Sequence, residues 1–265
     1  IMYANHPVRL PILGTEDSIR EITPEILEIC HRAFYHPSRM LLCVVGDVEP
    51  EKVRAAALEV LPDTPAPDAV KVAHWEEAPT PVVAETRCSM EVAMPTFSLA
   101  FKCPPAGVGD AAIRQEMVAD LAAEALFGES SELYLRLYEQ GLIDSSFGGG
   151  FETLEDCAML CAGGGGDHPE QLRDEICREA ERLAAEGIDE SAFLRMKRSA
   201  LGRRIRGLDS MDGTAFRVCA YHYSSFDYFR FPEIYREITA RDIQVFLAQN
   251  VKQEYCAISI ITPLS

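Results

Sequence analysis

No stretch of this chain approaches the ~20 consecutive apolar residues that a membrane-spanning helix needs, and its start carries no basic region followed by an apolar block and a cleavage site. The sequence therefore predicts a protein that neither spans a membrane nor is secreted. Positive charge is in short supply: 25 Lys and Arg face 42 Asp and Glu, a formal net charge of −17. Such a field repels phosphate backbones and anionic lipid, so neither nucleic acid nor a membrane is an expected partner. Paired cysteine spacing is missing too. The nine cysteines stand singly, which fits reduced thiols and a cytoplasmic location better than a disulfide framework. Common catalytic motifs are likewise absent. There is no Gly-x-Ser-x-Gly elbow, no cysteine has a recognisable His partner in sequence, and "AGGGGDHPE" lacks the Gly-Lys-Ser/Thr ending of a phosphate loop, with Asp167 set to oppose a phosphate. That segment reads as a strand exit and a helix entry.

What is present is apolar material, 48% of 265 residues, enough for a sizeable core. Thr23-Pro24 opens a helix in which Ile26, Ile29, Cys30, Ala33 and Phe34 recur at helical spacing. "MLLCVVGD" then predicts a short apolar strand at 41–45, and a helix comes next over about 51–61. Residues 66–80, rich in Pro, Ala and acid, make the best linker. Beyond it, "VVAETRCSMEV" and "TFSLAFKCPP" read as strands. A helix carrying Ile113, Met117, Leu121 and Ala125 ends at Gly128, and another starts at Ser130 or Ser131 and stops at Gly141. "SSFGGGFETLEDCAMLCAGGGG" predicts two strands around an acidic turn, and helical patterns fill about 169–186, 189–206 and 211–226. Arg195, Lys197, Arg198, Arg203, Arg204 and Arg206 crowd the C-terminal end of one of these helices. That is the end a helix dipole makes favourable for cations, so they need no bound anion to explain them. Strands and long helices in this order predict an α+β layered domain.

One phrase occurs twice. Arg-Glu-Ile-Thr stands at 20–23 and again at 236–239, each time leading into an amphipathic helix, a break and an apolar strand containing Cys43 or Cys256. The matched context predicts a duplicated unit. On this reading residues 1–65 are the tail of a first α/β half whose front is missing, 66–80 the linker, and 81–265 a complete second half. It also accounts for an opening, "IMYANHPVRLPILGTEDSI", that looks like the middle of a protein.

The stretches "HPVRLPILGTEDSIREITPEILEICHRAFYHPSRMLLCVVGD", "LAFKCPP", "SSELYLRLYEQGLIDSSFGGG" and "EITARDIQVFL" resemble the pitrilysin/insulinase-type zinc peptidases, which include the mitochondrial processing peptidase. "NHPVRLPILGT" and "LYEQGLIDSSF" look most like a bacterial subgroup of paired proteins linked to modification of elongation factor P. The resemblance implies the mitochondrial processing peptidase-like (LuxS-like) metallohydrolase fold, a layered sheet with long helices packed on it. It further implies two related halves that close over an unfolded peptide, the first half bearing zinc on a His-x-x-Glu-His helix. The present chain resembles the region C-terminal to that motif. Its expected role is thus the metal-free half that completes a peptide-enclosing chamber, or, alternatively, an inactive scaffold or partner subunit assembled with an active homologue.

Zinc is expected only in the missing N-terminal half. No His in the chain is followed by Glu and His at three and four positions on; His74 comes closest, with Glu77 in place but Ala78 where the second His belongs. Cys157, Cys161 and His168 lack a fourth ligand. Site residues implied by the resemblance come from "LYLRLYEQGLID", where family members present an Arg and then a Tyr to the peptide and the zinc-bound oxyanion. Aligned on Gly141-Leu142, Tyr138 takes the Arg position and Asp144 the Tyr position; aligned otherwise, Arg136 meets the Arg but leaves Ile143 for the Tyr. Neither recovers both. Arg136, Tyr138 and Asp144 are therefore the candidate peptide contacts, against a plain packing role for Leu133, Tyr134 and Leu137 with Arg136 and Tyr138 in solvent. Expected partners are a peptide or unfolded segment, the N-terminal half or a homologous subunit, and a second copy pairing through 41–45, whose strand edge is otherwise open.

Overall fold

Large and small side chains alternate along Thr96–Cys103, the mark of a strand with one covered face. In a computed structural model, which describes residues 1–61, 65–68, 70–71, 73–105, 107–154 and 156–264, that segment is β2 of a five-stranded sheet. The strands are β1 (Glu85–Met90), β2 (Thr96–Cys103), β3 (Gly148–Leu154), β4 (Cys157–Gly165) and β5 (Cys256–Pro263), in the order β1-β5-β2-β4-β3. Only β1 and β5 run parallel; every other pair is antiparallel. The helices are α1 (Glu16–Arg20), α2 (Pro24–Phe34), α3 (Pro50–Val60), α4 (Asp110–Phe127), α5 (Glu132–Glu139), α6 (Pro169–Glu186), α7 (Glu190–Arg206), α8 (Met211–Tyr223), α9 (Phe231–Glu237) and α10 (Ala240–Asn250). The α+β class and the helix-on-sheet layering expected from the sequence are what is found.

The chain divides into two units that do not follow chain order. One, the sheet unit, gathers Ile1–Arg9, Trp75–Arg203 and Phe229–Ser265; the other, the helical unit, gathers Leu10–His74 and Arg204–Tyr228. Residues 75–80 of the expected linker thus belong with the sheet, while Ala69 and Val72 of that linker lie outside the described residues.

In the sheet unit, Phe97, Leu99 and Phe101 of β2 point to the same face as Ile258 and Ile260 of β5 and Leu160 and Ala162 of β4, and all are buried. Helices α4, α6 and α10 cover that face, adding Met117, Leu121, Leu172, Ile176, Ile243 and Leu247 to the core. This burial is the main stabilising term of the unit. Part of the basic cluster on α7 is explained by bonding within the unit. Lys197 donates to the carbonyls of Arg236 and Ile238 at the end of α9, and Arg203 pairs with Glu124 at 3.0 Å.

The helical unit is built differently. Thr15 and Thr23 cap α1 and α2, Ser210 caps α8, and Arg39 ties the end of α2 to the 67–68 backbone through bonds to the carbonyls of Ala33, Pro67 and Asp68. Yet α1, α2 and α3 bury no residue at all. Residues 41–45, expected as a strand, are not one. They lie outside the sheet with Leu42 67% exposed, because no described strand of this unit offers their N–H and C=O groups a partner. The segment instead runs beside α8, where the Cys43 and Cys219 thiols come within hydrogen-bonding reach.

Candidate functional site

The segment "LYLRLYEQGLID" starts as a well-made helix. Ser131 donates to the Leu126 carbonyl and accepts from the Tyr134 N–H, fixing the start of α5, and Leu133, Tyr134 and Leu137 face inward. Gly141, at φ 68°, ends it: its N–H donates to Tyr138 and that of Leu142 to Leu137, the paired bonds of a Schellman close. The chain then turns through Asp144, whose carboxylate accepts from the N–H and hydroxyl of Ser146, while Ser146 Oγ accepts from Gly165 N–H at 3.1 Å. Those two Ser146 bonds hold the Asp144 carboxyl below its usual range.

The three candidate residues part company here. Tyr138 stacks on Tyr134 at 6.0 Å and 8°, and Tyr134 in turn senses Asp144: burial first, then the carboxylates of Glu129 and Asp144 with Tyr138, push its phenol up. Tyr138 and Asp144 thus both act on Tyr134. Arg136 points the other way, 3.5 Å from both Glu175 and Glu179 of α6. Glu179 is buried and shared with Arg182, which also reaches Glu132 and Glu186. Arg136 is one member of this ionic lattice.

Beneath the turn, Phe97, Phe127, Tyr134 and Phe147 form an aromatic cluster, and the glycines of β3 and β4 make room for it. A Cβ on Gly149 would stand 2.4 Å from the Phe127 ring and from the Cys161 carbonyl.

The uncovered face of the sheet carries a feature that the motifs do not announce. Register places Thr86, Ser259, Ser98, Gly163 and Gly148 in one row across all five strands, and none of the five is buried. The alternation of β2 is the only sequence signal of this row. At its other end the same face is closed by the N-terminal residues. Glu77 accepts from the backbone N–H groups of Ala4, Asn5 and His6, and Lys102 donates to Met2 and Glu77 with its ammonium 4.2 Å above the Tyr3 ring. Beside this cluster lies a groove of about 790 Å³ reaching to the Arg114–Asp242 ion pair; neither Arg136, Tyr138 nor Asp144 lines it.

A zinc ion does not fit these residues. Among those described, no three His, Cys, Asp or Glu side chains converge as ligands would, and Glu77 is spent on backbone N–H groups. Cys157 is buried on β4, whereas His168 is exposed at the entry to α6.

Comparison with known proteins gives the chain its family. Residues 21–200 match the family model of the peptidase M16 inactive domain. The whole chain is 30% identical over 271 residues to the uncharacterized zinc protease YmfH of Bacillus subtilis (strain 168), of which it spans 62%. Among solved structures, a putative M16-like peptidase from Alicyclobacillus acidocaldarius superposes with a TM-score of 0.92 at 27% identity, covering 99% of this chain and 63% of that one. A protease from Helicobacter pylori does so at 0.84 and 20% identity, covering 98% and 64%. The chain belongs to the peptidase M16 inactive-domain family, the non-catalytic C-terminal part of zinc-protease-like proteins.

Proposed function

We propose that this chain completes a peptide-enclosing chamber, working in the cytoplasm together with a zinc-bearing half that supplies the hydrolytic chemistry. The observation that carries the reading is the two-faced sheet. One face is sealed by α4, α6 and α10, while the other presents a row of small side chains, Thr86 to Gly148, over which an extended peptide can lie without displacing any bulky group. Tyr138, in the last turn of α5, and Asp144, on the turn that leads into β3, are the proposed contacts to that peptide. Tyr138 offers an exposed ring and phenol, and Asp144 a carboxylate for a basic side chain; the net charge of −17 favours basic, unfolded segments in the same sense.

The test is peptide cleavage by the whole polypeptide that the gene encodes, with and without a chelator, beside the 265-residue chain alone. Chelator-sensitive cleavage by the whole polypeptide and none by this chain is the expected result. No cleavage unless a separate active homologue is added would replace the chamber reading with that of an inactive partner subunit.

A further inference from the structure

Nine cysteines stand singly in the sequence, and the fold sorts them by reactivity. Cys103, Cys157 and Cys256 are buried in the sheet. Burial pushes the Cys161 and Cys177 thiols up to about 11, far from a reactive thiolate at neutral pH. Cys30 and Cys88 are exposed, one in each unit. That leaves Cys43 and Cys219, which the helical unit brings face to face.

Two contacts fix their register. The Cys43 and Cys219 thiols lie within hydrogen-bonding reach of each other, and three residues further on a Cβ at Gly46 would stand 3.9 Å from Met211 Sδ. The extended chain covers ~10 Å from 43 to 46, and a helix covers ~12 Å from 219 back to 211. The lengths agree, so the segment lies antiparallel along α8 and does not touch it at one point only. The start of α8 is anchored, since Ser210 accepts from the Gly213 N–H and Arg217 donates to the Gly207 carbonyl. Residues 41–45 belong to no helix or strand, so the backbone of Cys43 can yield as the sulfurs draw in from hydrogen-bonding to bonding distance. Both thiols are half-buried, and a small oxidant can reach them.

We propose that Cys43 and Cys219 form an oxidation site, which a small-molecule disulfide converts to a reversible cross-link pinning residues 41–45 to α8. The Cys43 thiolate attacks one sulfur of the oxidant and expels the other as a thiolate. The Cys219 thiolate then attacks the Cys43 sulfur of the mixed disulfide and expels the second. The two thiol protons pass to the expelled thiolates, and the pair gives up two electrons, reducing one small disulfide to two thiols. Burial first, and then the neighbouring Cys43, push the Cys219 thiol up, which makes it the resolving partner and leaves the first attack to Cys43. In a reducing compartment such a link is transient, the form that disulfides take there.

The link falls where the fold has least to hold it. Leu10–His74 and Arg204–Tyr228 make up the helical unit from two stretches that the chain joins only through the sheet unit, and α1, α2 and α3 bury no residue. A covalent bond between the stretches closes a long loop and restrains local opening of the unit.

The test is to incubate the 265-residue chain with oxidised glutathione and to measure its mass and map its peptides without reductant. The expected product has lost the mass of two hydrogen atoms, carries a peptide containing Cys43 joined to one containing Cys219, and reverts fully with dithiothreitol. Proteolytic cleavage within Leu10–His74 is then at least ~10-fold slower in the oxidised chain than in the reduced one. Cys43→Ser and Cys219→Ser, each with its unfolding midpoint under reductant equal to the parent's, abolish both the link and the slowing, while Cys30→Ser leaves both unchanged. A lasting glutathione adduct without the joined peptide overturns the inference. So does a link that joins any other pair of cysteines, or the expected link with cleavage no slower than before.

Discussion

Lys102 and Glu77 meet at 3.4 Å with both side chains nearly buried, and through that meeting the first residues of the chain are fastened to the sheet. Glu77 receives three backbone N–H bonds from residues more than seventy positions earlier, and Lys102 sits over the Tyr3 ring. Removing the carboxylate charge leaves a buried ammonium without its counterion. Glu77→Gln should therefore cost about 3 kcal/mol of stability. Denaturant unfolding followed by fluorescence of Trp75, the only tryptophan, checks this directly; an unchanged midpoint would show that the pair holds nothing together.

The same carboxylate sets a pH dependence. Burial alone would raise the Glu77 pKa, but the N–H groups of Ala4, Asn5 and His6, with Lys102, outweigh it and hold the group at about 2 rather than its ordinary 4.5. A folded-state pKa below the unfolded one means that the stabilisation is fully present above 4.5 and is lost as pH falls through about 2. Over that window the sheet unit should lose about 3 kcal/mol from this group alone. Asp242, opposed by burial but bonded by Thr239 and Arg114, and Asp144, bonded by Ser146, add in the same direction. Midpoints measured at stepped acidic pH should fall more shallowly for Glu77→Gln than for the parent, since the substitution removes the titrating group.

The glycines of β3 are unequal. A Cβ at position 149 meets the Phe127 ring and the Cys161 carbonyl at 2.4 Å, whereas one at 150 meets nothing within 4 Å. Gly149→Ala should destabilise by about 2 kcal/mol through forced repacking of the aromatic cluster, and Gly150→Ala should be close to neutral. Paired thermal melts decide it, and equal losses in the two variants would contradict the packing described.

Much of this fold is legible in the sequence because local pattern and tertiary environment agree. β2 alternates because one face is covered, and α5 stops at Gly141 because a positive φ is needed there. Met40–Asp47 has the composition of a strand and, among the described residues, lacks strands beside it, so composition alone misplaces it. Glu77 stands within a segment that reads as linker, and its partners are Ala4 to His6, which no local period reveals. The candidate peptide contacts are only half legible. The spacing of Arg136, Tyr138 and Asp144 in the chain does not tell that Arg136 turns to α6 while the other two flank Tyr134.

If a peptide lies across the small-residue row, bulk placed in that row should exclude it. Ser98 is exposed at the centre of the row, so Ser98→Trp should leave the unfolding midpoint within about 0.5 kcal/mol of the parent. For the whole polypeptide, kcat/KM on an unstructured basic peptide should drop at least ~10-fold, a loss of about 1.4 kcal/mol in transition-state binding. Undiminished turnover would remove this face from the substrate path.

Arg136 and Tyr138, two residues apart on α5, should fail in opposite ways. Arg136 pairs with Glu175 and with the buried Glu179, so Arg136→Ala should lower stability by about 1 kcal/mol and leave peptide affinity unchanged, Arg182 still neutralising Glu179. Tyr138 is 53% exposed, with its ring stacked on Tyr134, so Tyr138→Ala should change stability by no more than ~0.5 kcal/mol. If its ring meets the peptide, KM in the whole polypeptide should rise several-fold with kcat little altered, the mark of binding lost equally from ground and transition states. Steady-state kinetics beside melts of the two variants separate the roles, and a KM effect confined to Arg136→Ala would exchange them.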